Sequence, residues 1–182
     1  MLRLEEFKKE NYKDYIELYR EFIDNNSDLV PDVLDLKCEN EEDYDKILEE
    51  LENRKNGNHA DKDWYFDGHY YMAYDDDRLV GLGCIRNNLT PQAYDIWGHI
   101  AAGVRPSERG KGYATKMVEM LTEEAGKLGI DEVIYCHYEQ NKISPKILNR
   151  LGVEFINTVT SPYSGKTIYR YGRTLKKNKT KV

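Results

Sequence analysis

The stretch over residues 98–115, G-H-I-A-A-G-V-R-P-S-E-R-G-K-G-Y-A-T, constrains this chain more than any other part of it. Its first half reads as a buried strand and its second half opens an amphipathic helix, with a basic, glycine-bearing turn between them. Gly110 and Gly112 let the backbone come close to a ligand, and Arg109 and Lys111 put positive charge at a helix start, where backbone N–H groups already attract anions. The stretch therefore reads as a phosphate-binding turn. It is not a Walker loop, because Lys111 is followed by Gly112 and Arg105 stands where the first glycine belongs. Nor is it a G-x-G-x-x-G fingerprint, whose last glycine would fall at Thr115. A plain surface turn with a solvated charge pair would use the same residues; the order strand, turn, helix favours the ligand.

Arg-x-x-Gly-x-Ala, carried by Arg109, Gly112 and Ala114 with Val104 ending the strand ahead of it, resembles the GNAT N-acetyltransferase family. The longer tract is similar to a bacterial branch of that family that runs Gly-His-Ile-Gly-Tyr-x-Val-Arg-Pro-Ser-Glu-Arg-x-Lys-Gly-Tyr-Ala, with Ala101 and Ala102 here in place of its Gly-Tyr. The resemblance implies an α+β fold of three layers, α/β/α. Its mixed, mostly antiparallel sheet would splay at a cofactor slot between residues 97–104 and residues 130–138. It also implies acetyl-CoA as co-substrate, no metal, and an amine acceptor on a small molecule, an amino acid or a peptide. The backbone of Arg109, Gly110, Lys111, Gly112, Tyr113 and Ala114, bordered by Thr115, would wrap the pyrophosphate. Main chain near Ala102 and Val104 would hold the pantetheine arm, and Asn141 would be a further cofactor ligand. As a turn-forming asparagine, Asn141 would need no ligand at all.

Acetyl transfer needs a neutral amine, a polarised thioester carbonyl and a proton for the leaving thiolate. In the family a backbone amide of the central strand polarises the carbonyl. His99 is the one titratable side chain on that strand and is the expected general base, with Asp95 and Glu139 as lesser alternatives. Strand parity leaves open a second role for His99, as a hydrogen-bonded histidine of the core. The family's usual leaving-group acid, a tyrosine seven residues after the asparagine, is Leu148 here. Tyr135 or Tyr138 is expected to substitute, or water protonates the thiolate. The missing tyrosine also admits a different class of function, an acyl-CoA-binding sensor or interaction module without catalysis.

Composition narrows the field further. A net charge of -6 over 182 residues argues against a nucleic-acid surface. Cys38, Cys84 and Cys136 lack metal-ligand spacing and read as free thiols of a reducing cytoplasm. Neither a signal peptide nor a membrane span is expected. Residues 1–175 are expected to form one acetyltransferase domain, followed by a basic tail at 176–182 and with homodimerisation through residues 153–174.

Along the chain, a strand is expected at 2–5, a helix from Tyr12 to Asp24, an acceptor-side loop at 25–35 and a helix at 41–54. A polar segment at 55–63 leads to a hairpin of residues 69–74 and 79–86 whose tip, Asp75 to Asp77, reads as a solvated turn. Gly81 and Gly83 suggest a bulge or a close backbone approach. Residues 87–95 read as a loop, Gly129 stops the helix after the basic turn, and a strand follows at 130–138. Ser144 and Pro145 are expected to start a short helix that Gly152 ends, before a terminal hairpin of residues 153–160 and 167–174.

Overall fold

The computed structural model describes residues 1–58 and 67–175; the basic tail and part of the polar segment 55–63 lie outside the described residues. The elements run β1 (Leu2–Glu6), α1 (Tyr12–Asp24), α2 (Glu41–Lys55), β2 (Gly68–Asp75), β3 (Arg78–Arg86), α3 (Pro91–Ile96), β4 (Ile100–Val104), α4 (Tyr113–Lys127), β5 (Glu132–Tyr138), α5 (Ser144–Leu151), β6 (Glu154–Thr160) and β7 (Thr167–Thr174). Helix α1 buries Tyr15, Ile16, Leu18 and Phe22 along one face. Helix α2 starts where the Asn40 side chain accepts the Asp43 amide at 3.0 Å. Acidic residues in its first turn and Arg54 and Lys55 in its last complement the helix dipole.

The strands form two antiparallel sheets, ordered β1-β2-β3-β4 and β5-β7-β6. Alternation along β2 and β3 sorts the core onto two faces. Tyr70, Met72, Tyr74, Leu82 and Cys84 pack with α1 and α2, while Tyr71 and Ile85 join Val118 and Leu121 of α4. This is the layered, antiparallel, open-sheet α+β architecture expected from the sequence. Gly83 marks the close approach anticipated in β3: a methyl there would lie 2.6 Å from Leu121 Cδ1.

Three local readings need correction. Residues 87–95 are not wholly a loop, because Thr90 accepts the Ala93 amide at 3.2 Å and Pro91 begins α3. The central strand starts at Ile100 rather than Trp97, because Gly98 sits at φ +63° and turns the chain. Ser144 does not cap α5; Asn141 Oδ1 does, accepting the amides of Ile143 and Ser144 at 3.0 Å each. At the acidic hairpin tip, Asp75 accepts the Tyr113 hydroxyl at 2.7 Å, which ties the tip to the start of α4.

Candidate active site

Strands β4 and β5 are edge strands, each the outermost of its own sheet. Arg105 N donates to Val80 O at 2.9 Å, and Arg86 N donates to His99 O at 2.7 Å. With the β3–β4 register, these bonds set the parity: Ala101 and Gly103 direct their peptide groups to β3. The amides of Ile100, Ala102 and Val104 consequently face the open edge. An isolated bridge between Gly98 and Tyr135 joins the sheets, and beyond it no ladder pairs β4 with β5 among the described residues. The result is a slot bridged at Gly98 and unpaired toward Val104, with backbone donors along its β4 side.

At the unpaired end the chain makes a short helical turn, Pro106–Glu108, and enters α4. Gly110 and Gly112 lie at φ +79° and +84°, with no atom within 4 Å of where a Cβ would project. Gly112 occupies the N-cap of α4 without a side-chain cap, so first-turn N–H groups are left for an anion. The charged side chains are engaged within the turn itself. Arg109 Nε donates to Val104 O at 3.1 Å with its guanidinium over the Phe22 ring, and Lys111 pairs with Glu108 at 2.7 Å. Lys111 thereby holds the Glu108 carboxyl below its ordinary range. Arg109 to Thr115 and the Ala102 and Val104 amides thus border one mouth. Asn141 follows the C-terminal end of β5, exposed, with its oxygen committed to α5.

His99 lies at the bridged end and is 9% exposed. In a regular strand a residue directs its N–H and C=O to the same neighbour. Here they part: His99 N donates to Ile134 O at 2.8 Å on β5, while its carbonyl accepts from Arg86 on β3. Gly98 permits this twist, since a methyl there would overlap the Ile134 carbonyl oxygen. The Ile134 amide, deprived of the His99 carbonyl, donates instead to His99 Nδ1 at 2.9 Å. Nδ1 is therefore unprotonated, and the neutral ring carries its proton on Nε2. Burial, with Arg86 nearby, pulls the imidazole down to about 4. In this geometry the one basic lone pair of the neutral His99 ring, expected to act as general base, is occupied by a backbone amide.

The same face carries groups that sequence reasoning did not single out. Arg54 donates to Asp32 Oδ2 at 2.7 Å and to the Tyr70 hydroxyl at 2.5 Å, and Arg86 Nη2 lies 3.8 Å from Asp32 Oδ1. Although burial opposes its charge, Tyr70 and Asp32 hold Arg54 protonated. The available signal was Arg86 ending an otherwise apolar strand. On β5, Cys136 faces the Tyr94 carbonyl of α3, and Asp95 is ion-paired with Arg170. The expected acceptor-side loop closes over β4, since Val30 O occupies the space a Cβ at Gly103 would fill.

Leu148, at the position of the missing tyrosine, is buried in the core under α4 and α5. Of its two proposed substitutes, Tyr135 is buried with its hydroxyl 2.8 Å from Thr122 Oγ1 of α4, which removes it from the slot. Tyr138 is half-buried and makes no hydroxyl hydrogen bond among the described residues.

A profile of the Acetyltransferase (GNAT) family matches residues 33–153. No curated protein sequence matches the chain. Among solved structures, RimL, a ribosomal L7/L12 alpha-N-protein acetyltransferase in complex with coenzyme A, superposes with a TM-score of 0.70 at 13% identity, covering 96% of this chain and 94% of that one. The microcin C7 self-immunity acetyltransferase MccE, in complex with acetyl-CoA and AMP, gives 0.67 at 14% identity, covering 96% and 92%. An N-acetyltransferase from Staphylococcus aureus Mu50 gives 0.63 at 19% identity, covering 97% and 99%. At these identities the likeness is one of fold.

Proposed function

Because the chain belongs to the acetyltransferase (GNAT) family, we propose that it transfers an acetyl group from acetyl-CoA to a primary amine of a small molecule, amino acid or peptide by direct attack on the thioester. The observation that carries this is the open edge of β4, whose amide donors end at a glycine turn and an uncapped helix start. In this reading, N–H groups from Arg109 to Thr115 hold the pyrophosphate, and Ala102 and Val104 hold the pantetheine arm. The Asn141 side-chain nitrogen remains available to the same ligand, since its oxygen caps α5. The amine enters from the face of Asp32 and Asp95 and loses its proton to water beside those carboxylates. Tyr138 protonates the leaving thiolate. Residues 1–175 act as one domain of a cytoplasmic protein that uses neither nucleic acid nor membrane as a partner.

The test is acetyl-CoA-dependent release of free thiol with a panel of amines, beside calorimetric titration of acetyl-CoA. Binding with transfer is expected; absence of acetyl-CoA binding would overturn the assignment. The second reading, an acyl-CoA sensor without catalysis, is favoured by the burial of Leu148 and the engagement of Tyr135. It would show binding with no turnover on any amine. We also propose homodimerisation through the exposed edge strand β6, which presents Phe155 and Ile156 to solvent. Sedimentation of the wild type and of Phe155→Glu tests it: a dimer that the substitution dissociates is expected.

A further inference from the structure

The twist at Gly98 does more than occupy a lone pair: it determines what the histidine offers in its place. Three hydrogen bonds surround His99, from its own N–H to Ile134 O, from Arg86 N to its carbonyl, and from Ile134 N to Nδ1. The last is unambiguous in direction, because a backbone amide can only donate. Nε2 must then carry the ring proton. That nitrogen makes no hydrogen bond among the described residues. The ring sits where the two edge strands come together, at the end of the slot opposite the phosphate turn. Resting on the acetyltransferase reading, the pyrophosphate occupies that turn, and the reacting acyl group lies toward His99.

We infer that His99 is a catalytic hydrogen-bond donor whose tautomer is locked by the Ile134 amide, presenting Nε2–H to the carbonyl oxygen of the acyl group under attack. A neutral imidazole suits this task. It donates one oriented hydrogen bond to an oxygen gaining negative charge, and it needs no reorganisation as that charge develops. Its two functions reside on different nitrogens, Nδ1 as the pin between sheets and Nε2 as the donor, so substitutions can separate them. Asparagine places an acceptor oxygen near Nδ1 and has nothing at Nε2. Glutamine reaches the Nε2 position and leaves the Ile134 amide without its acceptor.

Two measurements test the inference, one of which needs no turnover. Long-range 15N–1H histidine spectra of the free protein, with His99 assigned by the signal lost in His99→Asn, should show Nε2 protonated and Nδ1 bare at pH 7. Adding acetyl-CoA should shift the Nε2–H proton. A ring protonated on Nδ1, or an Nε2–H unmoved by saturating acetyl-CoA, overturns the inference whatever the turnover of the variants. In turnover, His99→Asn should lose about 100- to 1,000-fold in kcat with acetyl-CoA affinity within about threefold of wild type. His99→Gln should recover part of that loss at lower thermal stability. A folded His99→Asn enzyme with near-native kcat also overturns it. Failure of the acetyltransferase reading is separately visible, as wild-type protein that transfers acetyl to no amine.

Discussion

Lowering the pH from 7 to 5 should remove about 2 kcal/mol of folding stability through His99 alone. The ring is held at about 4 in the folded protein against an ordinary 6.5, by burial and the neighbouring Arg86. Protonating Nδ1 would also set two donors against each other at the Ile134 amide. The folded-state value is depressed, so the unfolded chain takes up the proton first as the pH falls below 6.5, and the folded state resists until about 4. The contribution is therefore full above 6.5 and is lost progressively toward 4. Within that window each pH unit is worth about 1.4 kcal/mol, and pH 5 lies about one and a half units into it. Arg86 is the charge acting on the ring, with Asp32, Arg54 and Tyr70 behind it. His69, also lowered by burial, titrates in the same direction, while Glu21 and Glu108 are held below their ordinary values and lose their protons at lower pH. Urea denaturation of wild type and His99→Asn at pH 7, 6 and 5 cancels those other groups. Equal pH slopes for the two proteins between 6.5 and 5 would refute the reasoning.

The turn offers a cleaner separation of binding from folding. Gly112→Ala meets no neighbouring atom, so it should lower stability only by the left-handed backbone strain of about 1–2 kcal/mol while weakening acetyl-CoA binding, read by thermal melts and calorimetry. Arg109→Ala frees the Val104 carbonyl and removes a cation from the mouth, and should raise the acetyl-CoA Kd about tenfold with the fold intact. Tyr138→Phe should reduce kcat by about tenfold or more with acetyl-CoA affinity unchanged; an unchanged kcat would leave water as the acid. Burial pushes the Cys84 and Cys136 thiols up to about 11 and about 12. At pH 8 the fully buried Cys84 should react with a thiol reagent only as fast as the protein opens, so labelling of Cys84 that outpaces unfolding would contradict its buried geometry.

Much of this molecule was legible in residue order, because the signals concerned are local. The helical spacing of Tyr12 to Asp24, the paired strands on either side of Asp75, Asp76 and Asp77, and the glycine turn before α4 depend on neighbours a few residues apart. Residues 98–115 also carried enough chemistry to suggest the family before any coordinates. One local signal runs against the loop expected at 87–95: Thr90 and Pro91 form a helix start.

What residue order could not decide was where partners distant in sequence would meet. His99 is a strand histidine in either reading; its meaning turns on Ile134, 35 residues away, and on an N–H that Gly98 turns toward β5 while the His99 carbonyl stays with Arg86. Tyr135 and Tyr138 look equivalent along the chain, yet alternation on β5 sends Tyr135 to Thr122 on α4 and leaves Tyr138 free of that contact. Asp32, Arg54 and Tyr70 converge from two helical segments and a strand, across separations of 22 and 38 residues, on the face that Arg86 also reaches. Strand period and helix caps are short-range physics. Which lone pair a buried ring has left to use is settled only when two sheets come together and one backbone amide needs an acceptor.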